Sequence, residues 1–210
     1  MTKPAFRRLP RAVREQQMLD AAVRVFSIRG YHDASVDEIA EAAGISKPMV
    51  YAYLGTKEEL FVACLHREGA RLIEAIAASA RAHLTPDEQF WHGFRAFFGF
   101  VAAHRDGWTV LCRQARAQEP FAEVIDQLRE RMVEVVSDSM TRTSQHAGLR
   151  VHEGDVVTMA RALVGAAEAL ADWTVSHPQA DPDVTATRLM NAVWLGAGQL
   201  LRGETWKPTS

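Results

Sequence analysis

Cysteine is scarce in this chain: 210 residues hold two, Cys64 and Cys112. They lie far apart in helical patterns, which excludes a disulfide scaffold and suits a reducing compartment. No run approaches the roughly eighteen uncharged apolar residues of a membrane span. No apolar segment follows the basic start, so no export signal is expected and the expected location is cytoplasmic. Period-two alternation long enough for a strand is also missing. The eight histidines show no HExxH or comparable ligand spacing, and His152-Val-Glu-Gly-Asp155 reads as a solvated loop. There is no nucleophile elbow, phosphate-binding glycine loop or dinucleotide fingerprint. Catalysis, a metal and a cofactor are therefore not expected. A basic excess is missing too: the net charge of −2 and pI near 6.4 give no hint of a nucleic-acid partner.

What is present is a chain able to bury a core, 48% hydrophobic and 24% charged, whose length allows one or two domains. Its charge is unevenly spread. Lys3, Arg7, Arg8, Arg11 and Arg14 occupy a start without acids. Such an arm either follows a phosphate backbone or enters a minor groove, or it is a solvated tail.

The remainder reads as helix. Arg11 to Arg29 carries Met18, Leu19, Ala22, Val25 and Phe26 at helical spacing, and Gly30 ends it. Ser35 to Lys57, SVDEIAEAAGISKPMVYAYLGTK, is the most telling stretch. Ser35 and Glu38 form a capping box, a hydroxyl and a carboxylate that satisfy backbone N–H groups at a helix start. Gly44 suits the left-handed position beyond a helix end. Ser46 is placed to cap the next helix, and Pro48 is tolerated in its first turn, where the N–H it lacks has no partner anyway. Two tight helices joined through a glycine turn are a helix-turn-helix, whose second helix enters the DNA major groove.

Thr56 and Glu59 open a longer helix, and Thr85, Pro86 and Glu88 another that is rich in aromatics. A turn is expected at Asp106-Gly107, leading to a helix from Trp108 through Ala115. Further helices are expected at about Phe121 to Thr143, Asp155 to Ser176 and Asp183 to Leu201, with Asp181-Pro182 as a start signal. The fold class is all-α with about nine helices. A boundary near Lys57 divides residues 1–57, a three-helix DNA-binding unit, from 58–210, a helical ligand-binding and dimerisation body.

The segment GYHDASVDEIAEAAGISKPMVYAYLGTKEEL, from Gly30 to Leu60, and the preceding FSIRG resemble the TetR family of bacterial transcription regulators. The distinctive part is Tyr51-Ala52-Tyr53-Leu54 followed by Gly55-Thr56-Lys57-Glu58-Glu59-Leu60. Such families usually carry an aromatic residue or His at the Tyr53 place, Phe at the Leu54 place and Ser at the Thr56 place, so the departures are conservative. The specific match covers about a quarter of the chain. It implies a homodimer on a palindromic operator, usually a repressor, released when a small molecule enters the C-terminal body.

On the reading helix, Val50 and Leu54 should face inward, turning Lys47, Tyr51 and Tyr53 outward. Lys47 can donate to guanine O6 or N7, while Pro48 and Met49 can touch a thymine methyl. The resemblance places base contacts at these positions. Tyr51 and Tyr53 are expected on phosphates, which position without specifying; packing in the core is the alternative for Tyr51. Lys57 is expected to hold a phosphate with the helix N-terminus behind it. Ser35 and Ser46 are caps that can also meet phosphate. A single reading helix with about three base contacts of roughly 1–3 kcal/mol each is marginal against the 4–10 kcal/mol of a specific site, which argues for two subunits.

The last two helices, around 155–176 and 183–201, are apolar on more than one face. They form either a core pair or, as the resemblance implies, a two-fold four-helix interface to which Gly196-Ala197-Gly198 gives close approach. Trp91, Phe94, Phe98, Trp108, Arg113 and Trp173 are the candidate ligand residues, although aromatics at this spacing also serve simply as core. Glu168 and Asp172 are expected either to anchor a cationic ligand or to pair with an arginine across the dimer. The expected effector is small and apolar or amphipathic. The competing function is a helical ligand-binding or interaction protein without operator binding.

Overall fold

A computed structural model describes residues 10–81, 84–115 and 119–201. Lys3, Arg7 and Arg8 of the basic arm lie outside the described residues, as do the side chains from 195 to 201, the Gly196-Ala197-Gly198 segment included. All the regular secondary structure among the described residues is helical, with no strand among them.

The second, fourth and fifth helices start where side-chain chemistry completes the backbone. α1 runs Arg11–Asp33 and is interrupted at Gly30, whose φ of 79° only glycine adopts freely. α2, Val36–Ala42, begins with the Ser35 hydroxyl accepting from Glu38 N–H at 3.1 Å, while Glu38 Oε2 accepts from Ser35 N–H at 3.2 Å. Gly44, at φ 66°, turns the chain into α3, Lys47–Leu54. The Thr56–Glu59 pair opens α4, Lys57–Ser79, in the same reciprocal way. α5 is Pro86–Ala103, with Glu88 accepting from Thr85 N–H at 2.9 Å. After α6, Arg105–Trp108, the chain widens into a π-helix, Thr109–Gln114. A 3₁₀ turn, Glu119–Phe121, precedes α7, Ala122–His146. α8 is Glu153–Ser176 and α9 is Pro182–Leu201, whose first N–H groups are taken by Asp181.

The region around Gly107 differs from the sequence expectation. The break falls at His104 (φ −127°, ψ 48°), and Gly107 sits inside a helix. A Cβ at Gly107 would lie 2.5 Å from the Glu68 carboxylate. This glycine serves close packing rather than a turn.

Two apolar clusters organise the molecule. One joins Phe26, Ile39 and Val50 of the first three helices to Leu60, Phe61 and Leu65 of α4, Val110 and Leu111 of the π-helix, and Phe121 and Ile125. Phe61 meets Phe26 edge-on at 4.8 Å between centroids and Phe121 at 4.5 Å. The other joins Leu72 with α5, α7, α8 and the start of α9. The core that holds the helix-turn-helix thus continues past Lys57, and the change of cluster falls between Leu65 and Leu72.

Glu68 stands at that change. Its side chain is 2% exposed and paired with Arg67 at 2.7 Å and Arg71 at 3.3 Å. Arg67 also reaches Asp20 on α1 at 2.8 Å.

Candidate functional site

The outer edge of α2–α3 gathers the sequence-predicted DNA residues. Val50 is fully buried and Leu54 packs on the same core, which fixes the rotation of α3. Lys47, Pro48 and Tyr51 consequently point outward, with Tyr51 45% exposed. Lys47 Nζ is held by Asp37 Oδ2 at 2.8 Å, a pairing that favours the charged ammonium and raises its pKa. Ser46 has extended backbone at the start of α3, but its side chain makes no cap hydrogen bond.

The first turn of α1 lies against α3. Arg14 donates to Met49 Sδ at 3.5 Å, and the Arg11 guanidinium covers the Tyr53 ring at 5.1 Å. Cation–π placement keeps both groups on the same edge. Of the basic arm, Arg11 and Arg14 thus stand beside the reading helix.

Lys57 is turned inward. Its ammonium donates to His32 O at 2.9 Å and sits 4.8 Å above the Tyr31 ring. The helix starts at Ser35 and Thr56 are already filled by their own carboxylates, Glu38 and Glu59. Both carboxyls are lowered, chiefly by the backbone N–H groups they accept from. A phosphate meeting Ser35 or Lys57 would compete with these internal partners.

Below this edge, a cavity of about 190 Å³ opens between α4, α5, α7 and α8. Its wall is largely aliphatic: Leu72, Ile76, Met132, Val136 and Met140 face Phe90, Phe94 and Phe97. Trp108 and Leu111 line its end, and Leu111 also belongs to the core of the helix-turn-helix.

Of the candidate ligand residues, Phe94 and Trp108 line this cavity. Phe98 is buried in the neighbouring core. Trp91 stands beside the Arg95 guanidinium at 5.7 Å. Arg113 donates to Asp172 O and Ser176 Oγ on α8. Trp173 is 42% exposed and stacks on His177 at 4.5 Å. These four do not line the cavity. Glu168 pairs with Arg129 at 3.1 Å within the chain, and Asp172 accepts the Trp108 indole N–H at 2.8 Å. The aliphatic stripe of α7, from Ile125 through Leu128, Met132 and Val136 to Met140, was the signal for the missed wall, since it repeats every three or four residues.

Residues 18–64 match the model of bacterial regulatory proteins of the tetR family, and residues 86–196 match that of the tetracyclin repressor-like C-terminal domain. A TetR-like transcriptional regulator from Rhodococcus sp. RHA1 is 44% identical, covering 91% of this chain and 99% of that one, with a TM-score of 0.75.

The chain belongs to the TetR family of transcriptional regulators.

Two further likenesses bear on this TetR-family regulator. The HTH-type transcriptional activator FasR of Mycolicibacterium smegmatis is 29% identical over 190 residues, covering 90% of this chain and 85% of FasR. The FadR regulator of Bacillus subtilis, solved in complex with stearoyl-CoA, shares the fold at 18% identity, with a TM-score of 0.71 over 90% of this chain and 99% of that one. As a TetR-family member, the protein is a transcriptional regulator with a helix-turn-helix DNA-binding unit and a helical ligand-binding C-terminal domain. No helix among the described residues is long and apolar enough to cross a membrane.

Proposed function

We propose that the protein is a homodimeric repressor that binds a palindromic operator and is released by a long apolar or amphipathic effector, with an acyl chain as the leading class. One observation carries this reading: Leu111 belongs at once to the cavity wall and to the core that seats the reading helix. A guest that displaces the wall therefore acts on the packing behind α1 and α3. The aliphatic lining fits an acyl chain, and the relatives named for fatty acid metabolism or carrying stearoyl-CoA support that class.

In this reading residues 1–57 are the reading head, with Lys47, Pro48 and Met49 on bases and Ser35, Ser46, Tyr51, Tyr53 and Lys57 on phosphates. Residues 58–210 hold the effector and the partner. The exposed apolar side chains of Trp173 on α8 and Val184 on α9 support pairing of those helices about a two-fold axis. The cavity residues Phe94 and Trp108 contact the effector. A tenfold loss of operator affinity needs about 1.4 kcal/mol of coupling, an ordinary allosteric magnitude.

Footprinting on DNA upstream of the protein's own gene tests this, with and without stearate. The expected result is a symmetric protected site, weakened by salt and released by the acyl compound. Absence of any sequence-specific footprint would leave the competing reading, a helical ligand-binding protein without an operator. FasR is named an activator, so a reporter fusion with the gene deleted decides the sign: repression predicts higher expression.

A further inference from the structure

The cavity differs along its length. α7 crosses it from Ile125 to Thr143, about 27 Å at 1.5 Å per residue. At one end Trp108 and Leu111 are almost wholly buried. The charge on the wall near that end is balanced, because Arg129 pairs with Glu168 at 3.1 Å. The middle is aliphatic. At the other end, where α4 finishes and α5 starts, polar groups gather: Ser79, Gln89, Ser139, Arg142 and Thr143.

Most of those groups are engaged. Ser79 Oγ donates to Ile76 O at 2.6 Å, Thr143 Oγ1 donates to Ser139 O at 2.8 Å, and Gln89 Oε1 accepts from Arg81 N–H at 3.3 Å. Arg142 makes no ion pair or hydrogen bond with another described residue. Of the two arginines lining the cavity, one is therefore paired with a carboxylate and the other has no such partner among the described residues. Arginine presents a planar fork that matches carboxylate and phosphate oxygens. Pockets in helical proteins fix orientation through a few such groups in an apolar wall. Arg142 is also exposed, so an anion there keeps part of its hydration, whereas burial beside Trp108 would strip it.

We propose that Arg142 forms a head-group subsite, and that the effector is an anionic amphiphile bound with its acyl tail along α7 towards Trp108. This rests on the reading of the cavity as the effector site. A free carboxylate and the phosphate groups of an acyl thioester share the required chemistry.

The test uses the purified full-length protein and three probes, stearate, stearoyl-CoA and octadecanol, read by operator release and by tryptophan fluorescence. Arg142→Gln should weaken the anionic probes by about tenfold or more while leaving octadecanol and ligand-free operator binding unchanged. Arg142→Lys should restore part of the loss. The anion that loses more identifies the physiological head. An equal loss for octadecanol, or a selective anionic loss in Arg129→Gln instead, would overturn the subsite. Failure of wild-type protein to bind any probe would overturn the acyl reading itself, with operator binding left intact.

Discussion

Lys47 on the reading helix and Asp37 on the helix before it form an ion pair, Nζ to Oδ2 at 2.8 Å, with both side chains largely exposed. The carboxylate presets the lysine and also places a negative charge on the edge proposed to meet DNA. Screening makes such a pair weak as a stabiliser, so its consequence lies in DNA selection. Lys47→Ala should relax base preference at one position per half-site by about 1–3 kcal/mol. Asp37→Asn should tighten binding to random DNA more than binding to the operator. Selection from randomised operators and competition with random DNA read both; an unchanged preference in Lys47→Ala removes it from base reading.

Tyr51 is exposed on the same helix as Lys47 and Pro48, which are also exposed. Tyr51→Phe should weaken all DNA sequences alike, by about 0.5–1.5 kcal/mol for one lost hydrogen bond. Mobility-shift titrations on operator and random duplexes check this. A change confined to the operator would make Tyr51 a base reader.

The carboxyls of Glu38, Glu59 and Glu88 are held below the usual 4.5, first by the backbone N–H groups of Ser35, Thr56 and Thr85. Their native values lie below their unfolded ones, so the stability they supply is present above 4.5 and lost as pH falls through the lowered values. Urea denaturation from neutral pH downward should show this loss, and the triple Gln variant should have a shallower acid slope.

Burial pushes the Cys64 thiol up to about 12. The native state keeps this proton where the unfolded chain releases it. Its contribution to stability is full below 9.0 and falls as pH rises towards about 12. Cys64→Ala should flatten that alkaline decline. In the native protein at pH 8 a thiol reagent should leave Cys64 unmodified, as peptide mapping would show.

The helix starts were legible because a capping box is local: Ser35 and Glu38, like Thr56 and Glu59, stand three residues apart and complete each other's backbone. The inward direction of Val50 and Leu54 followed from helical spacing alone. Gly107 was not legible, because the group that requires its missing Cβ is Glu68 on another helix. The turn of Lys57 onto His32 and Tyr31 is likewise a tertiary outcome. Aromatic spacing pointed to Phe94 and Trp108 but equally to Trp173, which faces outward. Spacing reports a face and not what covers it. The π-helix has no composition signature in Thr109–Gln114.

Glu68→Gln should destabilise the fold by about 3 kcal/mol or more by leaving Arg67 and Arg71 without their buried counter-charge, as chemical denaturation would measure. Gly107→Ala should cost about 1–3 kcal/mol, because its methyl would force aside the Glu68 carboxylate that Arg67 and Arg71 hold.

Glu68 has one more consequence. Through Arg67 it is fastened to α1, and through its contact with Gly107 it lies flush against α6. Sliding α6 along α4 would strand a charge in the interior, so the Glu68 contacts tie α1, α4 and α6 to one another. In the proposed reading, an effector pressing on Trp108 would tilt the reading head as a rigid attachment, and the spacing between the two heads of a dimer would change by rotation rather than by local melting.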